Sequence, residues 1–293
     1  MRPTPYESAP RRRPQAVSRR PLGAAVRSAK AAAMSAPLVI GSRENALPVR
    51  LRRLSTDKGG YRRLGELWLE GEHLCSACLR SGHAVLQAVF SETAWAGPLR
   101  SLAEAAPKVA VLSDAVFAGI SDLASPAGLG FVVAAPAPPI LQAGRASLVL
   151  DRLQDPGNVG SILRSAAALG VLQVVALEGT AGLWSQKVLR AAMGAHFSLR
   201  LLEGVGVDAL DALALPLLAT SSHAARSIFE GTLPSPCAWV FGHEGQGIDK
   251  AVMARCAQQL RIPQPGGEES LNVAAAAAIC CYESLRQRHA TTP

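Results

Sequence analysis

The chain has 293 residues, 49% apolar and 18% charged, which is long enough for one or two domains with a real core and predicts a largely globular, soluble protein. No apolar stretch reaches the ~18–20 residues that a membrane span needs, and the longest, VAAAAAICC, reads as a buried helix. The formal net charge of +8 is concentrated at one end: residues 1–36 hold eight basic side chains against the single acid Glu7, and the other 22 basic and 21 acidic residues nearly cancel. The basic balance of the whole chain therefore gives only weak support for a polyanionic partner.

Residues 1–36 are rich in Arg, Pro, Ala and Ser with no sustained apolar period, and read as a disordered basic tail. Three accounts of it compete: an RNA-touching arm, an organelle transit peptide, or an upstream start-codon artefact, with Met34 as the natural start. From residue 37 to 135 helix and strand patterns alternate. A basic helix around SRENALPVRLRRL leads to the strand GELWLEG, the helix HLCSACLRSG, strands AVLQAVFS and KVAVLS, the helix DAVFAGISDL and the strand GFVVAA. This alternation predicts a small α/β sandwich. The Pro-rich stretch 136–145 then reads as a semi-rigid linker. From residue 146 to 293, SLVLD and LQVVAL are near-continuous apolar runs, as expected of strands buried on both faces. PLLAT, CAWVF and QLRIP are further strand candidates, separated by helical patterns in VGSILRSAAAL, SQKVLRAAMGA, DALDAL, DKAVMARCAQ and LNVAAAAAICCYESLRQR. That series predicts a parallel sheet covered on both faces.

Three turns carry the chemistry. In LDRLQDPGNVGSILRSAAALG, Asp155-Pro156-Gly157-Asn158 is turn chemistry, and Asn158 is placed to cap a helix starting near Val159. Arg164 then falls among Ile162, Leu163, Ala166 and Ala167; it is either an ordinary surface arginine or a guanidinium awaiting a phosphate or carboxylate. In the second turn CAWVF runs into Gly242-His243-Glu244-Gly245-Gln246-Gly247. Its GxxGxG spacing is neither a dinucleotide fingerprint nor a P-loop, so the glycines point to close backbone approach to another ligand. Glu244 there either accepts hydrogen bonds from an arginine or substrate, or only shapes the turn. In the third, Pro263 to Asn272, Ser270 is placed as the N-cap of the last helix with Asn272 in its first turn.

In that order the three segments resemble motifs 1, 2 and 3 of the SpoU (TrmH) family of RNA 2′-O-ribose methyltransferases, within the SPOUT superfamily. SQKVLRAAMGAHF resembles a further helix of the family, with Ala192 where serine is usual. Residues 42–74 resemble its L30e-like substrate-recognition domain, so the likeness covers roughly 37–290. The resemblance implies a C-terminal domain with a deep trefoil knot that binds S-adenosylmethionine and forms a homodimer. Carried over position by position, it implies donor contacts from Gly242, Gly247, Ile262 and Leu271, with Thr220 and Ser221 after PLLAT. It implies catalytic roles for Arg164, Asn158, Glu244, Ser270 and Asn272. Arg164 either activates the ribose hydroxyl or holds the phosphate, because an arginine pKa above ~12 leaves little neutral base. No metal is required.

The basic residues Arg43, Arg50, Arg52, Arg53, Lys58, Arg62 and Arg63 face only Glu44 and Asp57 within residues 43–63, a patch suited to RNA phosphates. The expected substrate is rRNA, with tRNA as the alternative, and a non-catalytic RNA-binding protein on the same fold is the competing class. His73, Cys75, Cys78 and His83 have zinc-like spacing, but the two cysteines also fit the buried stripe of a helix. Six cysteines in a chain of this size suit reduced thiols in a cytoplasm.

Overall fold

In the computed structural model the described residues are 36–291, apart from 122, 124 and 267–269; the expectations for the basic tail over 1–35 lie outside them. The described chain begins with β1 (Leu38–Ile40), α1 (Ala46–Thr56), α2 (Gly60–Leu64), β2 (Glu66–Glu70), α3 (Glu72–Arg80) and β3 (Val85–Ser91). It continues through α4 (Glu92–Ala96), a 3₁₀ stretch at Pro98–Ala105, β4 (Val109–Leu112), α5 (Asp114–Ala118) and β5 (Leu129–Ala134). These strands form a mixed sheet in the order β1-β4-β3-β5-β2, with β1, β4 and β3 parallel and β5 antiparallel to both its neighbours. The two-residue period sorts its side chains. Leu67, Leu69, Phe90 and Phe131 join one apolar cluster with Cys75 and Cys78, while Trp68, Val89 and Val132 pack with Leu51 and Phe117 on the other face.

The second half holds β6 (Ser147–Leu150), α6 (Pro156–Ala168), β7 (Gln173–Leu177), α7 (Gln186–Ala192), β8 (Arg200–Val205) and β9 (Leu217–Thr220). It ends with β10 (Ala238–Phe241), α8 (Lys250–Met253), β11 (Cys256–Leu260) and α9 (Val273–Thr291). Its sheet runs β11-β9-β10-β6-β7-β8 and is parallel throughout. Leu148, Leu150, Trp239 and Phe241 enter the cluster on one face, and Val149, Val175 and Val240 the cluster on the other, which is why these strands read as unbroken apolar runs. Because β10 lies beside β6, with Phe241 opposite Leu150, and Leu260 of β11 lies opposite Thr220 of β9, four strands end at one edge. The loops after β6, β9, β10 and β11 therefore emerge together, where an open α/β sheet binds ligands.

Several sequence expectations need correction. The strand predicted over QLRIP begins at Cys256 and ends at Leu260, so the helix predicted over DKAVMARCAQ shrinks to Lys250–Met253. DALDAL is a 3₁₀ stretch, and the helix over DAVFAGISDL stops at Ala118. Strands β1 and β8, absent from the sequence reading, bury few positions: β1 is three residues long with only Ile40 buried, and β8 buries only Leu201 and Leu202, so neither offers a long apolar run to read. Asp155, not Asn158, caps α6: its Oδ1 accepts from the Asn158 backbone N–H at 2.8 Å. Asn272, not Ser270, caps α9, its Oδ1 accepting from the backbone of Ala274 (2.9 Å) and Ala275 (3.3 Å). In both cases two cap-forming side chains stand close together, and sequence cannot choose between them.

Tyr61 of α2 joins the two halves by donating its hydroxyl to Glu203 of β8 at 2.7 Å, with Arg62 on the same carboxylate at 3.1 Å. Glu203 also accepts from the backbone N–H of Leu183. Leu189 of α7 packs into the apolar cluster of the first sheet, and Trp184 touches the clusters of both halves.

Candidate active site

The three loops meet through one carboxylate and two amides. Glu244 accepts from the backbone N–H of Gln154 and of Asp155, each at 3.3 Å, and from Asn158 Nδ2 at 3.2 Å. Asn158 turns its other end to the third loop, its Oδ1 accepting from Asn272 Nδ2 at 2.8 Å. Partial burial pushes the Glu244 carboxyl up, but hydrogen bonds from its own backbone, from Asn158, Gln154 and Asp155 outweigh it and hold the group below the usual carboxylate range. The ionised form is the one the loops are built around.

A second polar anchor was not foreseen. Asp151, 2% exposed at the end of β6, accepts from the backbone N–H of Asp249 at 2.6 Å and from Arg152 Nε at 3.0 Å. Arg152 in turn donates to Gln246 Oε1 at 3.2 Å and to the Gly247 carbonyl at 3.4 Å. Arg152 adopts a left-handed backbone (φ 57), a conformation costing about 1–3 kcal/mol that persists only where surrounding contacts fix it. Its sequence signal was an acid-arginine pair directly after an apolar strand.

Glycine is required in the second loop. A Cβ on Gly242 would collide with the backbone of Gly247 and Ile248, and Gly247 itself has φ +69. Thr220, at the end of β9, donates to the Val240 carbonyl at 3.3 Å, and the Ser221 N–H donates to Leu260, so both lie at the same sheet edge. Ile262 packs against the core of this half, whereas Leu271 is 38% exposed. Gln264 keeps a buried Oε1 without a partner among the described residues.

The structure does not bring every expected residue into that network. Ser270 is exposed and makes no bond to it among the described residues. Arg164 is exposed on α6, six residues beyond Asn158 and so about 9 Å along the helix, with no ion pair among the described residues. The basic patch also divides. Arg50 is tied to Glu66 (3.5 Å) and Gln87 (3.1 Å), Arg62 to Glu203 and Arg63 to Asp57, and Arg43 donates to the Ala115 carbonyl at 3.4 Å. Arg52 and Arg53 are exposed and without an ion pair among the described residues. Cys75 and Cys78 lie in the core, where burial raises both thiols, Cys78 to about 11. No three His, Cys, Asp or Glu side chains converge as a metal site among the described residues.

Comparison with known proteins agrees with this arrangement. Residues 145–282 match the model of the SpoU rRNA methylase family. The chain is 34% identical over 265 residues to an uncharacterized tRNA/rRNA methyltransferase of Synechocystis, covering 86% of this chain and 95% of that protein. It is 32% identical to the 23S rRNA (guanosine(2553)-2′-O)-methyltransferase RlmP of Bacillus subtilis, over 73% of this chain and 86% of RlmP. The crystal structure of the SpoU methyltransferase AviRb from Streptomyces viridochromogenes, in complex with AdoMet, superposes with a TM-score of 0.76 at 25% identity, covering 84% of this chain and 98% of that one. The chain belongs to the SpoU family of RNA methyltransferases.

Proposed function

We propose that this protein transfers a methyl group from S-adenosylmethionine to a ribose 2′-hydroxyl of RNA, with rRNA rather than tRNA as substrate. The observation that carries the reading is the chain of hydrogen bonds Glu244–Asn158–Asn272, which ties together three loops from separate strand ends at one sheet edge. The likeness to RlmP, named for 23S rRNA, favours rRNA. The residues present fit S-adenosylmethionine: Gly242 lets the second loop fold back on its own backbone at Gly247 and Ile248, which leaves main-chain groups at the sheet edge for the cofactor, and the buried Gln264 oxygen offers an acceptor. When bound, that cofactor supplies a methyl group on an electrophilic sulfonium. Backbone at Gly242, Gly247, Ile262 and Leu271 would hold it, with Thr220 and Ser221 at the sheet edge.

The residues of the chain do the rest. A protonated ribose hydroxyl is a poor nucleophile, so its proton must leave or be strongly polarised. Arg164 serves that step or holds the adjoining phosphate, with Ser270 of the third loop as a further catalytic residue. Asn158, Glu244 and Asn272 keep the loops in register. The isolation of Arg164 from the network supports a site completed by a second copy of the chain. The face beside its helix supports this too: Leu169, Ile279 (37% exposed), Tyr282 (61%) and Phe229 (68%) form an exposed apolar patch around α9, suited to homodimerisation through a knotted second domain (146–293). Residues 37–135 would form the L30e-like recognition domain, joined by a Pro-rich linker over 136–145, with Arg43, Arg50, Arg52, Arg53, Arg62 and Arg63 as its basic face. Among the described residues no helix is long and apolar enough to cross a membrane, and six free cysteines suit a cytoplasmic setting.

Incubation with labelled S-adenosylmethionine and separate 23S rRNA and tRNA pools, followed by mapping of 2′-O-methyl positions, tests the reading. Label in rRNA ribose is expected. Label confined to tRNA would reassign the substrate, and RNA binding without any transfer would overturn the enzyme reading.

A further inference from the structure

A groove of about 340 Å³ runs between the two halves, walled by the α1–α2 turn on one side and by Gln154, Gly179–Gly182 and the start of α7 on the other. Two polar side chains on its wall are left without partners. Ser55 is 5% exposed and Gln186 4%, and neither the Ser55 hydroxyl nor the Gln186 Nε2 has a hydrogen-bond partner among the described residues. Buried polar groups are nearly always satisfied, so two orphans among the residues lining one groove point to an absent partner. Both are donors.

The charges of the groove agree. Lys58 and Lys187 are exposed on its two sides, and neither has an ion pair among the described residues. The other charged groups there are already neutralised: Asp57 pairs with Arg63 and Arg62 with Glu203. What remains is two ammonium groups and two neutral donors with no acceptor to match, the complement of an anion rich in acceptor oxygens. The groove also leads to the candidate site, because its wall residue Gln154 donates its backbone N–H to Glu244. At its other end Thr56 is shared with a second hollow, lined by Arg43, Arg52 and Arg53 over the apolar side chains Val116 and Ile120.

We propose that this groove holds a phosphodiester of the substrate RNA strand as it passes from the basic face of α1 to the methyl-transfer loops, with Lys58 and Lys187 as paired phosphate contacts and Ser55 and Gln186 as donors beneath them. This rests on the RNA methyltransferase reading. It makes Lys187 and Gln186, on the catalytic half, positioning residues for RNA. A ligand spanning the groove also fixes one half against the other.

The test is the salt dependence of binding of a fluorescein-labelled oligouridylate and of 23S rRNA to the full chain, wild type against Lys58→Gln/Lys187→Gln. Each phosphate contact to a single strand contributes about 0.7 to the slope of log K against log salt. The double variant is therefore expected to flatten the slope by about 1.4, with S-adenosylmethionine affinity unchanged in calorimetry. Lys58→Arg/Lys187→Arg should restore the slope, which a merely structural role would not predict. An unchanged slope in the glutamine variant, with methyl transfer to RNA intact, would overturn the groove and leave the enzyme reading standing. Failure of the wild-type chain to bind or methylate RNA would overturn both. Saturable binding of inorganic phosphate that disappears in the glutamine variant, with an unchanged RNA slope, would assign the groove to a free anion and overturn the proposal.

Discussion

The loop cluster and the groove beside it are both polar, yet they are built in opposite ways. Around Glu244 each polar partner is met: a carboxylate takes three donors from the first loop, and Asn158 passes the connection to Asn272. Between the halves, Ser55 and Gln186 present donors to no acceptor, and two lysines lack counter-charges among the described residues. A satisfied network holds a geometry before any ligand arrives, which is what group transfer needs. An unsatisfied set of donors stores its binding capacity for a charged ligand.

The largest expected effect separates chemistry from scaffolding. Arg164→Ala should lower methyl transfer at least ~100-fold, in the range of a lost acid–base or positioning group, with S-adenosylmethionine binding intact. Activity near wild type would move the chemistry elsewhere in the loop cluster.

The next effect belongs to the junction. His196 is 1% exposed, and burial lowers its ring to about 4 even though the Leu183 carbonyl, paired with Nε2 at 2.7 Å, pulls the other way. The unfolded chain therefore binds this proton more readily. The neutral ring's contribution is fully present above the unfolded value of 6.5 and is lost as pH falls toward about 4, at most about 3 kcal/mol. Thermal melts should show Tm falling between pH 6.5 and 5, before most carboxylates titrate, and His196→Gln should flatten that limb. An equal slope in the variant would place the titration elsewhere.

Glu244→Gln tests the satisfied network. Replacing a charged acceptor of three bonds should cost about 1–2 kcal/mol in chemical denaturation and lower kcat more than RNA affinity. Because the Glu244 carboxyl is held low, its contribution is present above the unfolded value of ~4.3 and is lost only as pH falls through the lower folded value. Wild type and variant should therefore converge only in acid. The smallest effect is expected at Tyr61→Phe, which removes one of the three donors on Glu203 and should cost about 1 kcal/mol, with no change in S-adenosylmethionine affinity.

Much of the second half was legible because its signals are local. SLVLD, LQVVAL and CAWVF are apolar without a break since both faces of each strand are buried, and the second of the turns that follow needs glycine twice, Gly242 for close packing and Gly247 for its backbone conformation. The first half was legible by strand alternation, as Leu67, Trp68 and Leu69 show. Strands β1 and β8 escaped because β1 is only three residues long and β8 buries only two of its six positions. The caps of α6 and α9 escaped because neighbouring polar side chains compete for the same role, and only the helix start decides between them. Asp151 and Arg152 stood inside a quoted motif and still went unread, since their partners lie nearly a hundred positions away.

The sequence by itself determined the parallel sheet, the order of its three functional turns and the family they belong to, because each depends on residues within one turn of chain. Which groups meet was decided by the tertiary structure. Asn158 reaches Glu244 across 86 positions because β10 inserts beside β6, and Asn272 reaches Asn158 across 114 because α9 packs in the same apolar cluster as α6. The orphaned donors of Ser55 and Gln186 belong to the same class of fact. A serine in one helix and a glutamine at the start of another carry no pattern; packing one half of the molecule against the other removed their water and left an anion-shaped demand between them.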